Sequence, residues 1–151
     1  MTDTAADITN TIIKLLEDEG FSPRAIEYYL KQVNVGKLKD PSTSFVFTGA
    51  CGDTVELYLK IESGVIKDAK FLSTGCSASF ISGSALTKLL KGKTLEQAKE
   101  IEGEDILDHL GGSFPTQKVH CVRLVKKTLE EALKRYQEIQ KGGKNAQVGK
   151  K

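Results

Sequence analysis

Three cysteines stand beside residues that could share their chemistry. Cys51 lies in the stretch GACGDT, two places before Asp53; Cys76 lies in STGCSAS; Cys121 follows His120 in KVHC. Three thiols, one carboxylate and one imidazole make a donor set in which soft sulfur is the majority. Such a set suits a tetrahedral zinc ion or an iron–sulfur cluster. No two cysteines have CxxC spacing, so spacing alone does not choose between these. A single cysteine commonly just fills a core, and Asp53 could simply serve a turn. An interaction protein with inert thiols is therefore a third reading. His109, the other histidine, reads as a surface residue.

The argument for chemistry comes from the elements that must carry these residues. After Gly52 and Asp53, the positions Val55, Leu57, Leu59 and Ile61 alternate with polar residues, the pattern of a strand with one buried face. A turn at Glu62-Ser63-Gly64 leads into a second β-prone run from Val65 to Leu72. With Ser42 to Phe47, that makes three strands in an antiparallel meander. Ser77 to Leu90 reads as a buried helix, and Thr94 to Gln97 as a capping box opening a short one. Another short helix is expected at about 104–110, and the longest at about 118–140. Near the N-terminus, Ile8, Ile12, Ile13, Leu15 and Leu16 have helical spacing up to Gly20. Ser22-Pro23 opens a second helix expected to run to about residue 33. Strands first and helices later predict an α+β fold, with helices packed mainly on one face of a small three-stranded sheet.

Each cysteine thus falls at an element boundary: Cys51 before a strand, Cys76 where a strand hands over to a helix, Cys121 in the first turn of the long helix. At the two helix starts, amide N–H groups and the helix dipole favour a thiolate. If both helices start at one edge of the sheet, the three cysteines meet at one end of the molecule.

Composition bounds the rest. The 151 residues suit one domain, 39% apolar and 28% charged. Four of the 22 basic residues lie in the last eleven, KGGKNAQVGKK, which hold no acid; the remainder has 18 basic against 20 acidic residues. That body lacks the basic excess of a nucleic-acid binder. The tail, 141–151, reads as disordered. No apolar run suffices to cross a bilayer. MTDTAADITN has neither the basic nor the apolar region of a secretory signal, so a cytoplasmic, reducing location is expected.

The segments FSPRAIEYYLKQVNVGKL, GACGDTVELYLKI, IKDAKFLSTGCSASFISGSALTKLLKGKTLEQA and KVHC resemble, in order, the iron–sulfur cluster assembly scaffolds of the IscU/NifU N-terminal family, from about Phe21 to Tyr136. The resemblance implies a scaffold domain at 21–140, with 1–20 as a helical extension. It implies a carrier rather than a turnover enzyme: a protein that builds a [2Fe–2S] cluster from iron and cysteine-derived sulfur and passes it to apo-proteins. By the same resemblance Cys51, Asp53, Cys76 and Cys121 hold the cluster. His120 joins the metal-ligand set, and Asp53 and His120 both stand as the fourth ligand. Cys121 accepts persulfide sulfur from a cysteine desulfurase, supported by Lys118. Partners implied are the desulfurase, apo acceptors, a chaperone, and a second copy of the chain when the cluster is bound. Two segments depart from the pattern. The chaperone-recognition segment LPPVK is here Phe114 to Lys118, FPTQK, and the Asn-Pro-Arg before NVG is here Lys31-Gln32-Val33. The alternative is a zinc-bound sulfur acceptor using the same residues, zinc also being the alternative occupant of the isolated protein. The interval from Cys76 to Cys121 lacks the long insertion of that zinc-dependent branch.

Overall fold

The computed structural model describes residues 4–50 and 52–142. Helix α1 spans Thr4–Glu19 and α2 spans Pro23–Lys31; strands β1, β2 and β3 span Thr43–Thr48, Thr54–Glu62 and Val65–Ser73. Helices α3 (Ser77–Leu90), α4 (Leu95–Lys99) and α5 (Gly103–His109) follow, then a 3-10 turn, Thr116–Lys118, and α6, Val119–Gly142. The tail expected from Lys141 lies outside the described residues after Gly142.

Local chemistry sets most boundaries. Ser22 caps α2 by accepting from the Ala25 N–H at 3.0 Å, with Pro23 as first helical residue. The helix stops two residues earlier than expected. Gln32 takes a left-handed conformation (φ 49°), and its N–H closes on the Tyr28 and Tyr29 carbonyls. Thr94 and Gln97 form the anticipated capping box on α4. Ser63 and Gly64, both at positive φ, make the two-residue turn between β2 and β3.

The sheet is an antiparallel meander in the order β1-β2-β3. Helix α3 packs on β3, and α6 on β1 and β2. Val55, Leu57, Leu59 and Ile61 of β2 point into this core, as the alternation predicts. Tyr58 breaks the alternation: it is buried outside the main core cluster. Burial, and then Glu56, push its hydroxyl pKa up to about 12. The small residues of α3 serve close approach. A Cβ on Gly83 would lie 2.5 Å from the Phe71 ring, so only glycine lets α3 sit on β3 as it does. On α1, Leu16 is buried but Ile8 and Leu15 are exposed, so its inward face is narrower than the sequence suggests.

Two long-range ties close the N-terminal half onto the rest. His109 is half-buried rather than free at the surface: its Nε2 lies 2.8 Å from the Tyr28 hydroxyl, and Arg24 donates to its carbonyl at 2.6 Å. Burial, and then Arg24 and Lys88, hold its imidazole pKa below the usual value. The segment before α6 is also pinned. Phe114 meets Phe21 edge to face with centroids 5.2 Å apart, Pro115 is buried, and Ser113 donates to the Gly20 carbonyl at 2.7 Å.

Candidate metal centre

Strand register brings the first two site residues together. Val55 pairs with Ser73, and the Thr74 N–H donates to the Thr54 carbonyl at 3.0 Å. Asp53, just before β2, and Cys76, just after β3, therefore share one end of the sheet. Cys76 is the N-cap of α3, and its thiol makes no capping bond. Cys121 is the third residue of α6. That helix reaches the same end, where Leu124 closes to 3.2 Å of a Cβ position on Gly49.

A carboxylate oxygen of Asp53 and the sulfurs of Cys76 and Cys121 all lie within 4.8 Å of one another. Around a tetrahedral ion, ligands at ordinary bond lengths sit roughly 3.5–3.8 Å apart. A contraction of about 1 Å closes these three on one ion, so the donor set fits a thiophilic metal. Asp53 and Cys76 are half-buried and Cys121 is fully buried. Cys51 lies outside the described residues. Lys118 places its Nζ 3.9 Å from the Cys76 sulfur. His120, by contrast, is exposed and not one of the three grouped ligands. It lines a groove with Phe47, Ala50, Arg123 and Lys127.

One electrostatic expectation is reversed. The first-turn position of Cys121 should favour a thiolate, yet its pKa is pushed up to about 11. Burial is the main cause, and the neighbouring Cys76 and Asp53 add to it, against a lowering hydrogen bond from Ser79. Desolvation outweighs the helix terminus, so Cys121 is held as a thiol while the site is metal-free.

Two residues that the sequence reading passed over shape the site. Ser79, fully buried on α3, donates its hydroxyl to Asp53 Oδ2 at 2.9 Å. Gly75 supplies the room: a Cβ there would lie 2.6 Å from Asp53 Cγ, from Asp53 Oδ2 and from Ser79 Oγ. The available signal was small residues flanking Cys76, which is weak without the fold.

Two thiols and a carboxylate converge at one end of a helix-covered antiparallel meander, a donor group that could hold a soft metal on an α+β fold. Residues 21–142 match the family described as NifU-like N terminal domain. The chain is 40% identical over 122 residues to the iron-sulfur cluster assembly protein IscU of Plasmodium falciparum, covering 78% of this chain and 74% of that one. It is 38% identical over 121 residues to the iron-sulfur cluster assembly scaffold protein IscU of Azotobacter vinelandii, covering 77% and 93%. Its fold resembles the crystal structure of a NifU-like protein (N-terminal) from Brucella abortus, with TM-score 0.63 at 19% identity over 82% and 98% of the chains. This chain belongs to the NifU-like N-terminal domain family. Among the described residues, no helix is long and apolar enough to cross a membrane.

Proposed function

We propose that this protein is a scaffold on which a [2Fe–2S] cluster is built from iron and persulfide sulfur and then handed to apo-proteins. The observation that carries the reading is the convergence of Asp53, Cys76 and Cys121 inside a domain of this family. The family resemblance of the stretch GACGDT assigns Cys51 the role of a third thiolate ligand. Asp53 is favoured over His120 as the oxygen or nitrogen ligand, because Asp53 is in the group and His120 points to the surface groove. We take 21–140 as the scaffold unit, preceded by the helical extension 1–20, a division supported by the family match over 21–142. We take the location as cytoplasmic, a reading in line with the need of free thiols for a reducing compartment.

Sulfur arrives by thiol–persulfide exchange. The Cys121 sulfur attacks the terminal sulfur of a desulfurase persulfide; the old S–S bond breaks, the new one forms, and the Cys121 proton goes to the departing thiolate. Burial of Cys121 makes this step depend on desulfurase docking that opens the site. The Lys118 ammonium beside Cys76 can offset negative charge there. Each transferred sulfur must gain two electrons to become sulfide; one comes from a ferrous iron as it becomes ferric and the other from a thiol or electron-carrier reductant. The protein is a carrier in this reaction and turns over no substrate of its own.

Anaerobic reconstitution with ferrous iron, sulfide and one equivalent of ferricyanide per iron tests the proposal; with sulfide supplied no reductant is needed, and the oxidant takes each iron to the ferric state. Expected are visible sulfur-to-iron charge-transfer absorption and near-equal iron and sulfide per chain, with size-exclusion chromatography reporting whether two copies share the cluster. A colourless protein holding one zinc supports the sulfur-acceptor alternative. Uptake of neither metal supports inert thiols.

A further inference from the structure

The Asp53 carboxylate has two oxygens, and the fold already engages one. Ser79 donates to Oδ2 at 2.9 Å. Ser79 is fully buried, and its own N–H is bonded to the Cys76 carbonyl at 3.0 Å, so the hydroxyl is delivered from a fixed point in the first turn of α3. Behind the carboxylate there is room for a glycine and no more: a Cβ added at Gly75 would lie 2.6 Å from Cγ and Oδ2. In a carboxylate held this way Oδ2 is engaged by Ser79, and Oδ1 is the freer oxygen for an ion. The same hydrogen bond draws electron density from the carboxylate and weakens it as a donor.

We propose that Ser79 is a positioning residue that keeps Asp53 a one-oxygen, readily exchanged ligand of the metal cargo. The inference rests on the reading of Asp53, Cys76 and Cys121 as the metal site. Ser79 touches no cargo; it acts through the ligands, donating to Asp53 and lying against Cys121, so the thiolate band is read beside the carboxylate bands. Its contribution is to the release step, because a carboxylate bound through one oxygen departs by breaking one bond, whereas one bound through two must break both.

The test uses the full reduced chain loaded with cobalt(II) or zinc(II) alone, in wild type, Ser79→Ala, Asp53→Ala and Ser82→Ala. Ser82 is a second buried hydroxyl on α3, without a hydrogen-bond partner among the described residues, and controls for loss of a helix hydroxyl. Thiolate-to-cobalt charge-transfer absorption reports the cysteines. Infrared carboxylate stretches of the zinc-loaded protein, with the Asp53 bands identified through Asp53→Ala, report whether one or two oxygens bind. Wild type and Ser82→Ala are expected to show the wide separation of antisymmetric and symmetric stretches of one-oxygen binding. In Ser79→Ala the separation should narrow to the two-oxygen pattern, and metal transfer to EDTA should slow about tenfold, the scale of one hydrogen bond to a charged group. Unchanged stretches and an unchanged transfer rate in Ser79→Ala, with the thiolate band intact, overturn the proposal. A wild-type protein without any thiolate-to-cobalt band overturns the site reading itself, and this inference with it.

Discussion

Replacing Gly75 by alanine should separate stability from metal binding. The backbone at Gly75 is not left-handed, so alanine is allowed there; the obstacle is space. The new Cβ would lie 2.6 Å from Asp53 Cγ and Oδ2 and from Ser79 Oγ, whereas ordinary contact begins near 3.4 Å. The carboxylate must therefore retreat by about 0.8 Å, beyond the ~0.5 Å within which a functional constellation must be held. Overpacking costs about 1–3 kcal/mol. Here the colliding atoms are side-chain ends that can move, so the low end applies. Restricting the unfolded chain returns about 0.4–1 kcal/mol. The net loss is roughly 0–1 kcal/mol, or at most a few degrees in melting temperature. Metal affinity should fall much further, about 10–100-fold, the range seen when a ligand loses its orienting partner. Melting of the metal-free protein by circular dichroism and a competitive zinc titration against a chromophoric chelator measure the two effects. Adding Ser79→Ala removes one of the collisions, so the melting loss of the double variant should be smaller than the sum of the singles. Zinc affinity within twofold of wild type in Gly75→Ala would refute the argument that this slot positions Asp53.

Cys121→Ser should lose persulfide labelling by a desulfurase under single-turnover, iron-free conditions; loss only in Cys51→Ser or Cys76→Ser reassigns the acceptor. Of the two described thiols, half-buried Cys76 should be alkylated by iodoacetamide well before buried Cys121, as peptide mapping would report. Asp53→Ala should give a cluster that lasts longer in air and transfers more slowly to an apo-ferredoxin, since its hard, labile ligand is gone; wild-type decay and transfer rates would leave Asp53 only a turn residue. His109 makes stability depend on pH. Its folded pKa lies below the usual value of 6.5, so stability is full above that value. It declines as pH falls toward the folded pKa, because the unfolded chain takes up a proton that the folded site resists. Melting temperatures between pH 7.5 and 5.5 should drop less in His109→Gln than in wild type.

Local signals were readable in the sequence because local chemistry decides them. The Ser22-Pro23 start, the Thr94 capping box, the Ser63-Gly64 turn and the alternation from Val55 to Ile61 each need only neighbouring residues. The end of α2 was misplaced because Gln32, a residue with no special liking for positive φ, takes the left-handed conformation that ends the helix. His109 was misread because its burial comes from partners distant in the chain, Tyr28 and Arg24. The convergence of Asp53 with Cys76 followed from the meander once its register was known. The pKa of Cys121 did not follow: a helix start is visible in the sequence, whereas the desolvation that overrides it is a property of packing. Ser79 escaped notice because a serine in a small-residue helix looks the same whether or not its hydroxyl meets a carboxylate.

The pinned segment before α6 has a consequence for any partner that reads Phe114 to Lys118 as an extended peptide. In the folded chain this stretch is not on offer. Phe114 rests on Phe21, Pro115 is buried, and the Lys118 N–H closes a turn onto the Pro115 carbonyl at 3.0 Å. Only the fraction of molecules with this latch open can be captured, so the observed dissociation constant is the intrinsic one divided by that fraction. The edge-to-face ring contact alone contributes about 0.5–1.5 kcal/mol beyond its buried area, enough to lower the open fraction about two- to twelvefold. The α1–α2 corner, far from the thiols in sequence, thus holds the stretch that leads into the Cys121 helix against the body of the fold.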